Sequence, residues 1–262
     1  MQNKVGSIQC IRRVLITVLA ISTIAAGAQT PTPVEARTKW ETTAAITLAL
    51  TKGNSDTALT TASLETRRKW EKVEAAFGLA AGYGENSGSK NTEFINGFGQ
   101  YNRSFSERFY GGLRLDGNYD GIANLDYRLR LSPLLGCYLI KEAKTKMVVE
   151  AGPSFVREQY GETDNNNNLT NKVIKSYVGL RLGEKLEHKL SDTTKLWQSV
   201  EYIPAVDSFA DRFVLTFEAG IDTAITKQWS LRVAIQDIYN SEPGAGNKKN
   251  DMRLLAGTSY KF

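Results

Sequence analysis

Residues 109–119 read FYGGLRLDGNY, and this stretch decides the fold class. Leu113 and Leu115 alternate with Arg114 and Asp116, so apolar and charged side chains fall on opposite parities. Successive side chains of a β-strand point to opposite faces, whereas a helix repeats every 3.6 residues. The stretch therefore predicts a β-strand with one apolar face and one charged face.

The same period of two recurs along the chain. Apolar residues occupy one parity in further segments: 40–50, 73–83, 125–131, 213–221, 229–235 and 252–262. Turn residues separate about twelve segments of roughly 10 to 16 residues, which suits strands that cross a bilayer at a tilt. Soluble sandwiches use shorter strands of about 5 or 6 residues. The segment near 92–105 stays ambiguous, because Phe94 and Phe98 share one parity whereas Ile95 and Tyr101 share the other.

The connections between these segments alternate in character. One set is polar, rich in Gly and Asn, and often long: 53–56, 85–90, 120–124, 162–171 and 241–250. The other set is mostly shorter: 69–72, 104–108, 141–145 and 226–228. Long outer loops and short periplasmic turns are typical of membrane barrels. The sequence thus predicts an all-β, up-and-down antiparallel transmembrane β-barrel of about twelve strands over residues 40–262, with both termini in the periplasm.

The N-terminus has the features of a secretory signal peptide. Basic residues, an apolar run and small residues follow in that order: Lys4, Arg12 and Arg13, then 14–26, then Ala26, Gly27 and Ala28. We predict a signal peptide at residues 1–28 with cleavage after Ala28, and a short periplasmic segment at 29–39. The apolar run is shorter than the roughly 20 residues of a transmembrane helix, so a retained anchor is the minor alternative.

Charge and cysteine usage narrow the function classes. The 262 residues include 33 Lys+Arg and 28 Asp+Glu, a formal net charge of +5. Loss of the three basic residues in the signal peptide leaves 30 against 28, or +2, so little basic excess remains for nucleic acid, and we expect no such partner. Cys137 would be the only cysteine of the exported chain, which rules out an intramolecular disulfide.

Charged residues on the parity opposite the apolar faces are predicted to line the lumen. An Arg or Lys that faces lipid costs about 2–4 kcal/mol at the bilayer midplane. The predicted lumen-lining residues are Glu74, Arg114, Asp116, Asp126, Arg128, Arg130, Glu150, Arg181, Glu218, Asp222, Arg232 and Arg253. Glu65, Arg67, Lys175 and Glu201 share this parity. Because the two signs balance, we expect paired networks and water inside, with no strongly signed field.

The inventory of catalytic side chains argues against an enzyme. His188 is the only histidine, and it falls in a predicted periplasmic turn beside Lys189. Outer-membrane hydrolases generally need a histidine near a nucleophile at the outer rim. One histidine and one exported cysteine also cannot build a transition-metal site without carboxylates. We therefore predict no catalytic residue, no metal and no cofactor.

Residues 164–175 superficially resemble a calcium-binding loop. The EF-hand pattern needs Gly at its sixth position and Glu at its twelfth, but Leu169 and Lys175 stand there. An outer loop is the better interpretation, with weak cation binding by Glu162 and Asp164 as the alternative.

Aromatic residues cluster near the predicted strand ends: Trp40, Trp70, Tyr83, Phe105, Tyr110, Tyr119, Trp229, Tyr239, Tyr260 and Phe262. Such residues form the girdles of membrane barrels, and the core of a soluble sandwich is the alternative. Tyr260 and Phe262 also look like the C-terminal signal that the barrel-assembly machinery recognises. That machinery is therefore an expected partner.

Several motifs point to one family. They are residues 51–57 (TKGNSDT), 101–108 (YNRSFSER), 125–129 (LDYRL), 136–138 (GCY) and 152–153 (GP). These motifs make the chain resemble the salt-induced outer-membrane protein family, which is grouped as domain of unknown function 481. The resemblance covers roughly residues 40–262. The resemblance implies an outer-membrane barrel and no assigned catalytic residues. Asn102 and Cys137 depart from the family pattern, where an acidic residue and Gly are expected, so no role is carried over to them.

Three functions remain open at this point. A narrow, weakly selective diffusion or osmotic-response channel in the outer membrane of a Gram-negative-type bacterium is the leading hypothesis. A non-conducting structural or surface-interaction barrel is the second, and a barrel enzyme is the third. Outer-membrane lipid and lipopolysaccharide are the expected surroundings in each case.

Overall fold

The structure, a computed structural model, describes residues 39–51, 57–163, 169–243 and 249–262. The predicted signal peptide at 1–28, its cleavage after Ala28 and nearly all of the segment 29–39 lie outside these residues. The proposed loop ligand Asp164 lies outside them as well. These expectations stay predictions.

Twelve β-strands account for most of the described residues. They are β1 (Glu41–Thr51), β2 (Thr57–Lys69), β3 (Val73–Asn86), β4 (Ser89–Ser104), β5 (Phe109–Asp120), β6 (Leu125–Lys141), β7 (Thr145–Thr163), β8 (Leu169–Lys189), β9 (Thr194–Pro204), β10 (Phe213–Ala224), β11 (Trp229–Asn240) and β12 (Asn250–Lys261). A short 3-10 turn, Val206–Ser208, lies between β9 and β10. No helix among the described residues is long and apolar enough to cross a membrane.

The strands form one closed antiparallel barrel. Each strand pairs with the next along the chain, and β12 returns to pair with β1 from Thr43↔Lys261 to Leu48↔Ala256. This arrangement confirms the predicted up-and-down barrel of about twelve strands. Closure satisfies the edges that an open sheet would leave unpaired in lipid.

Two features of the wall differ from the sequence prediction. Strands β6, β7 and β8 have 17, 19 and 21 residues and exceed the expected length. Strands β7 and β8 are long because they continue to pair with each other beyond Tyr160, the partner of the first residue of β6. The connection between β9 and β10, residues 205–212, lies at the rim of the long loops, but its sequence lacks the Gly and Asn signal that marked the others.

The outer face of the barrel is apolar. Large hydrophobic side chains are exposed along the strands, among them Ile46, Leu64, Leu79, Leu115, Leu131, Leu135, Phe155, Val178, Val233 and Leu254. Aromatic rings pack together near both rims, with Trp229, Tyr260 and Phe262 at one and Tyr202, Phe213 and Tyr239 at the other. A soluble barrel would place these residues inside, so this is the surface of a membrane-spanning barrel.

Strand β4 resolves the ambiguity left by its sequence. Ile95 and Tyr101 are exposed on the outer face, whereas the rings of Phe94 and Phe98 lie inside the barrel under arginine side chains. A Cβ at Gly78 on β3 would overlap the Phe98 ring, so the glycine provides the space. Only the pairing of β3 with β4 reveals this fit.

Candidate functional site: the charged lumen

The inner face of the barrel brings the charged residues together. The predicted lumen-lining residues that lie there are Glu74, Arg114, Asp116, Arg128, Arg130, Glu150, Arg181, Glu218, Asp222, Arg232 and Arg253. Each alternates with outward apolar neighbours, as a pleated strand requires. Their side chains form ion pairs, hydrogen bonds or ring contacts with other inward residues.

Asp126 is the exception, and its predicted place in the lumen is wrong. The register shifts between Leu125 and Tyr127, which makes Asp126 the extra residue of a β-bulge at the start of β6. Its carboxylate accepts a hydrogen bond from Gln159 and pairs with Lys172 at 3.0 Å. Both partners share the parity of outward-facing residues, so the bulge turns Asp126 to the outer surface.

A network of alternating charges occupies one side of the lumen. We call it the lumen ring, and it consists of Gln100, Arg114, Asp116, Arg130, Glu150, Arg181 and Glu201. Arg181 donates from Nη1 to Glu150 Oε2 at 2.9 Å and from Nε to Glu201 Oε2 at 2.7 Å. Arg130 donates from Nη1 to Glu201 Oε1 at 3.2 Å, and its Nη2 lies 3.8 Å from Asp116 Oδ1.

The remaining contacts close the lumen ring. Arg114 Nη2 lies 2.8 Å from Asp116 Oδ1, and Arg114 Nη1 donates to Gln100 Oε1 at 2.9 Å. Gln100 Nε2 then donates to Glu150 Oε1 at 2.7 Å, so the chain of partners returns to Glu150. Each acid thus has basic or amide partners, as a desolvated charge requires.

The lumen ring extends away from the wall on its side of the lumen, because some of its contacts join strands that are not neighbours in the wall. Gln100 on β4 reaches Glu150 on β7, and Arg130 on β6 reaches Glu201 on β9. Arg181 is 2% exposed and Glu150 is 4% exposed, so water barely reaches them. This side of the lumen is filled by protein.

A glycine makes room for a tyrosine that forms a hydrogen bond with the lumen ring. Tyr110 on β5 lies over β6 and donates its hydroxyl to Glu150 Oε1 at 2.7 Å. A Cβ at Gly136 on β6 would overlap the Tyr110 ring. The prediction that Tyr110 belongs to an aromatic girdle is therefore wrong, because its ring lies inside the barrel and is 5% exposed. The sequence of a single strand could not show this, since the space for the ring comes from the neighbouring strand.

The opposite side of the lumen is open to water. The side chains of Arg67 and Glu65 on β2 are 43% and 50% exposed although they lie on the inner face. Arg67 also pairs with Glu74 on β3 at 3.5 Å.

Further pairs line the wall above and beside the lumen ring. Arg232 donates to both oxygens of Asp222 at 2.7 and 2.8 Å. Arg128 donates to Glu158 at 2.6 Å and to the Tyr160 hydroxyl at 2.6 Å. Glu158, buried and inward, was missed by the sequence prediction, although its parity on β7 matches that of Glu150. Both signs of charge are therefore present and largely paired along the lumen.

Charged groups at the long-loop rim also pair. Arg212, in the connection between β9 and β10, donates from Nε to Glu242 Oε2 at 3.0 Å. This hydrogen bond raises the pKa of the Arg212 guanidinium above its ordinary value.

The remaining candidates from the sequence lie apart from the lumen ring. His188 is located on β8, one residue before the strand ends, where its Nδ1 is 2.8 Å from Thr145 Oγ1. Within the described ranges no cluster of His, Cys, Asp and Glu could hold a metal ion. Phe262 donates its backbone N–H to the Thr42 carbonyl at 2.9 Å, and its exposed ring contacts Tyr260.

Solved structures share the architecture. The NanC porin aligns with a TM-score of 0.52 at 7% identity, over 85% of this chain and 100% of the porin. The translocator domain of the autotransporter NalP from Neisseria meningitidis aligns at 0.48 and 14% identity, over 98% and 96% of the two chains. An outer membrane channel from Pseudomonas putida aligns at 0.49 and 10% identity, over 89% and 100%. At such identities the NanC likeness shows a common fold alone.

No curated protein matches the sequence. The model of the family described as "Protein of unknown function, DUF481" matches residues 44–262. The match confirms the resemblance that the sequence motifs carry, and the chain belongs to that family.

Proposed function

We propose that the chain is an outer-membrane protein whose barrel forms a narrow, weakly selective diffusion channel. The observation that carries this proposal is the solvent exposure of Arg67 and Glu65 inside the barrel, opposite the buried lumen ring. Water reaches these two charged side chains in the half of β2 that leads to the short-loop rim, and the proposed path opens there. The lumen ring reduces the bore to this path.

Weak selectivity follows from the pairing of charges. Along the open side Arg67 lies close to Glu65 and Glu74, and Arg232 pairs with Asp222. A pore that carries both signs in close pairs has no net field to exclude anions or cations. The proposed solutes are therefore small ions and polar molecules of either charge.

Planar-bilayer recording of the refolded protein tests the channel. We expect small, discrete current steps with similar permeability for K⁺ and Cl⁻. Arg67→Glu changes the net charge of the open side by −2, and we expect it to shift permeability toward K⁺ by several-fold. Asp126→Asn changes a charge on the outer surface and serves as the matched control, with no expected shift.

A silent bilayer from a correctly folded barrel would instead support the second candidate, a non-conducting structural barrel. The observation that favours this candidate is the buried lumen ring, because its hydrogen bonds and ion pairs join strands β4, β7, β8 and β9 without any need for transport. The presence or absence of current therefore distinguishes the two candidates.

Three finer roles complete the proposal. The family resemblance supports a part in the osmotic or salt-stress response of the envelope, which the amount of protein made at raised salt tests. The exposed ring of Phe262 supports recognition by the barrel-assembly machinery, which Phe262→Ala tests through membrane assembly. The location of His188 at the short-loop rim, away from the long loops, supports a barrel without catalysis, and lipid or peptide hydrolysis that His188→Ala abolishes would contradict it.

A further inference from the structure

An apolar groove runs along the outer surface of the barrel. It has a volume of about 430 Å³ and lies across β5, β6, β7 and β8. Leu115, Leu129, Leu131, Phe155 and Val178 line it with exposed side chains. Its volume falls within the range of about 300–1,000 Å³ for ligand pockets. Because these side chains face away from the lumen, the groove opens to the membrane.

A basic side chain, that of Arg157, lies at the end of this groove. Arg157 on β7 is exposed and shares the outward parity of Phe155, and it pairs in register with Leu129 and Ser176. Within the part of the chain that the structure describes, no side chain forms a hydrogen bond or ion pair with the Arg157 guanidinium. The nearby outward Lys172 differs, because Asp126 neutralises it at 3.0 Å.

The height of Arg157 matches a lipid headgroup. It lies twelve residues along β7 from Thr145, the first residue at the short-loop rim. At about 3.3 Å per residue and a tilt of about 40°, this distance is about 30 Å along the barrel axis. The apolar band of a membrane barrel is about 25 Å tall. Arg157 therefore stands just above the band, and the groove descends from it into the band.

We propose that this groove binds lipid A, the phosphate-bearing anchor of lipopolysaccharide. An acyl chain lies along the apolar lining, and the Arg157 guanidinium binds a phosphate, with the Ser176 hydroxyl as a second donor. Charge complementarity argues for this occupant, because an unpaired guanidinium at a lipid surface attracts phosphate and binds it through paired N–H groups. The proposal rests on the outer-membrane location above, which puts the long-loop rim in the outer leaflet.

Lipid A retention measured by native mass spectrometry tests the proposal. The full chain, refolded in detergent micelles, is titrated with purified lipid A. We expect Arg157→Gln to weaken binding by about tenfold or more, as the loss of a charge-assisted phosphate contact predicts. Arg212→Gln is the matched control at the same rim and should leave binding unchanged. Equal binding by wild type and Arg157→Gln would overturn the proposal.

A second pair of variants tests the groove itself. Val178→Trp fills the groove and should reduce lipid A binding, whereas Val233→Trp changes an exposed valine on β11, outside the groove, and should not. Equal binding by both variants would exclude the groove as the acyl site. Phosphatidylglycerol is the competing probe, and an affinity equal to that of lipid A would overturn the assignment to lipid A.

The channel proposal and the lipid A proposal can be rejected independently of each other. Current recorded in phosphatidylcholine bilayers without lipid A reports on the channel alone. Current steps without lipid A retention would reject the groove and leave the channel, and retention without current would do the reverse.

Discussion

Replacement of Arg181 by leucine is expected to lower the free energy of unfolding by about 3–5 kcal/mol, because it removes the guanidinium that pairs with both the buried Glu150 carboxylate and the partly buried Glu201 carboxylate. Arg181 donates to Glu150 at 2.9 Å and to Glu201 at 2.7 Å, and it is 2% exposed. Urea unfolding of the protein in phosphatidylcholine vesicles measures the loss. Glu201 keeps Arg130 as a partner at 3.2 Å, so the stranded charge is that of Glu150. Adding Glu150→Gln removes it and should restore most of the stability.

Arg67→Leu provides the matched control for this experiment. Arg67 also faces the lumen and pairs with Glu65 at 3.1 Å, but water reaches both side chains. Exposed pairs contribute about 0–1 kcal/mol, so the expected loss is small. If Arg181→Leu cost no more than Arg67→Leu, the lumen ring would be hydrated and the picture of a half-filled lumen would be wrong.

The second large effect is expected at the seam where the barrel closes. Gly257 on β12 lies opposite Thr47 on β1, and a Cβ there would overlap the Ile46 carbonyl oxygen and the Thr47 Cα. Backbone atoms cannot rotate away as a side chain can, so the strands must separate. We expect Gly257→Ala to cost about 3 kcal/mol, the upper end of the usual cost of overpacking, and to reduce the yield of closed barrel.

Gly117→Ala is the control for Gly257→Ala. Gly117 also lies within a strand, but the nearest atom to its Cβ would be Leu129 Cδ2 at an ordinary 3.7 Å. The fraction of protein that migrates as a folded barrel in unheated gel samples, together with urea unfolding, compares the two variants. Similar behaviour of both would show that the seam has room for a side chain.

Much of the architecture follows from local sequence. In the stretch 109–119, Leu115 faces lipid and Arg114 faces the lumen because a strand places neighbours on opposite faces. That rule fails where the backbone gains a residue, as at Asp126, whose bulge reverses its direction. It is also silent where both parities are apolar, as in β4, where Gly78 on the neighbouring strand decides which way Phe98 points.

The sequence alone therefore determined a membrane-spanning barrel with charges of both signs inside, because strand periodicity and lipid burial act residue by residue. Only the tertiary structure decided which charges meet. The contact of Gln100 with Glu150 joins β4 to β7, and that of Arg130 with Glu201 joins β6 to β9, so each links strands that do not pair in the wall. Closure of the barrel sets those distances, and they divide the lumen into a filled side and a side open to water.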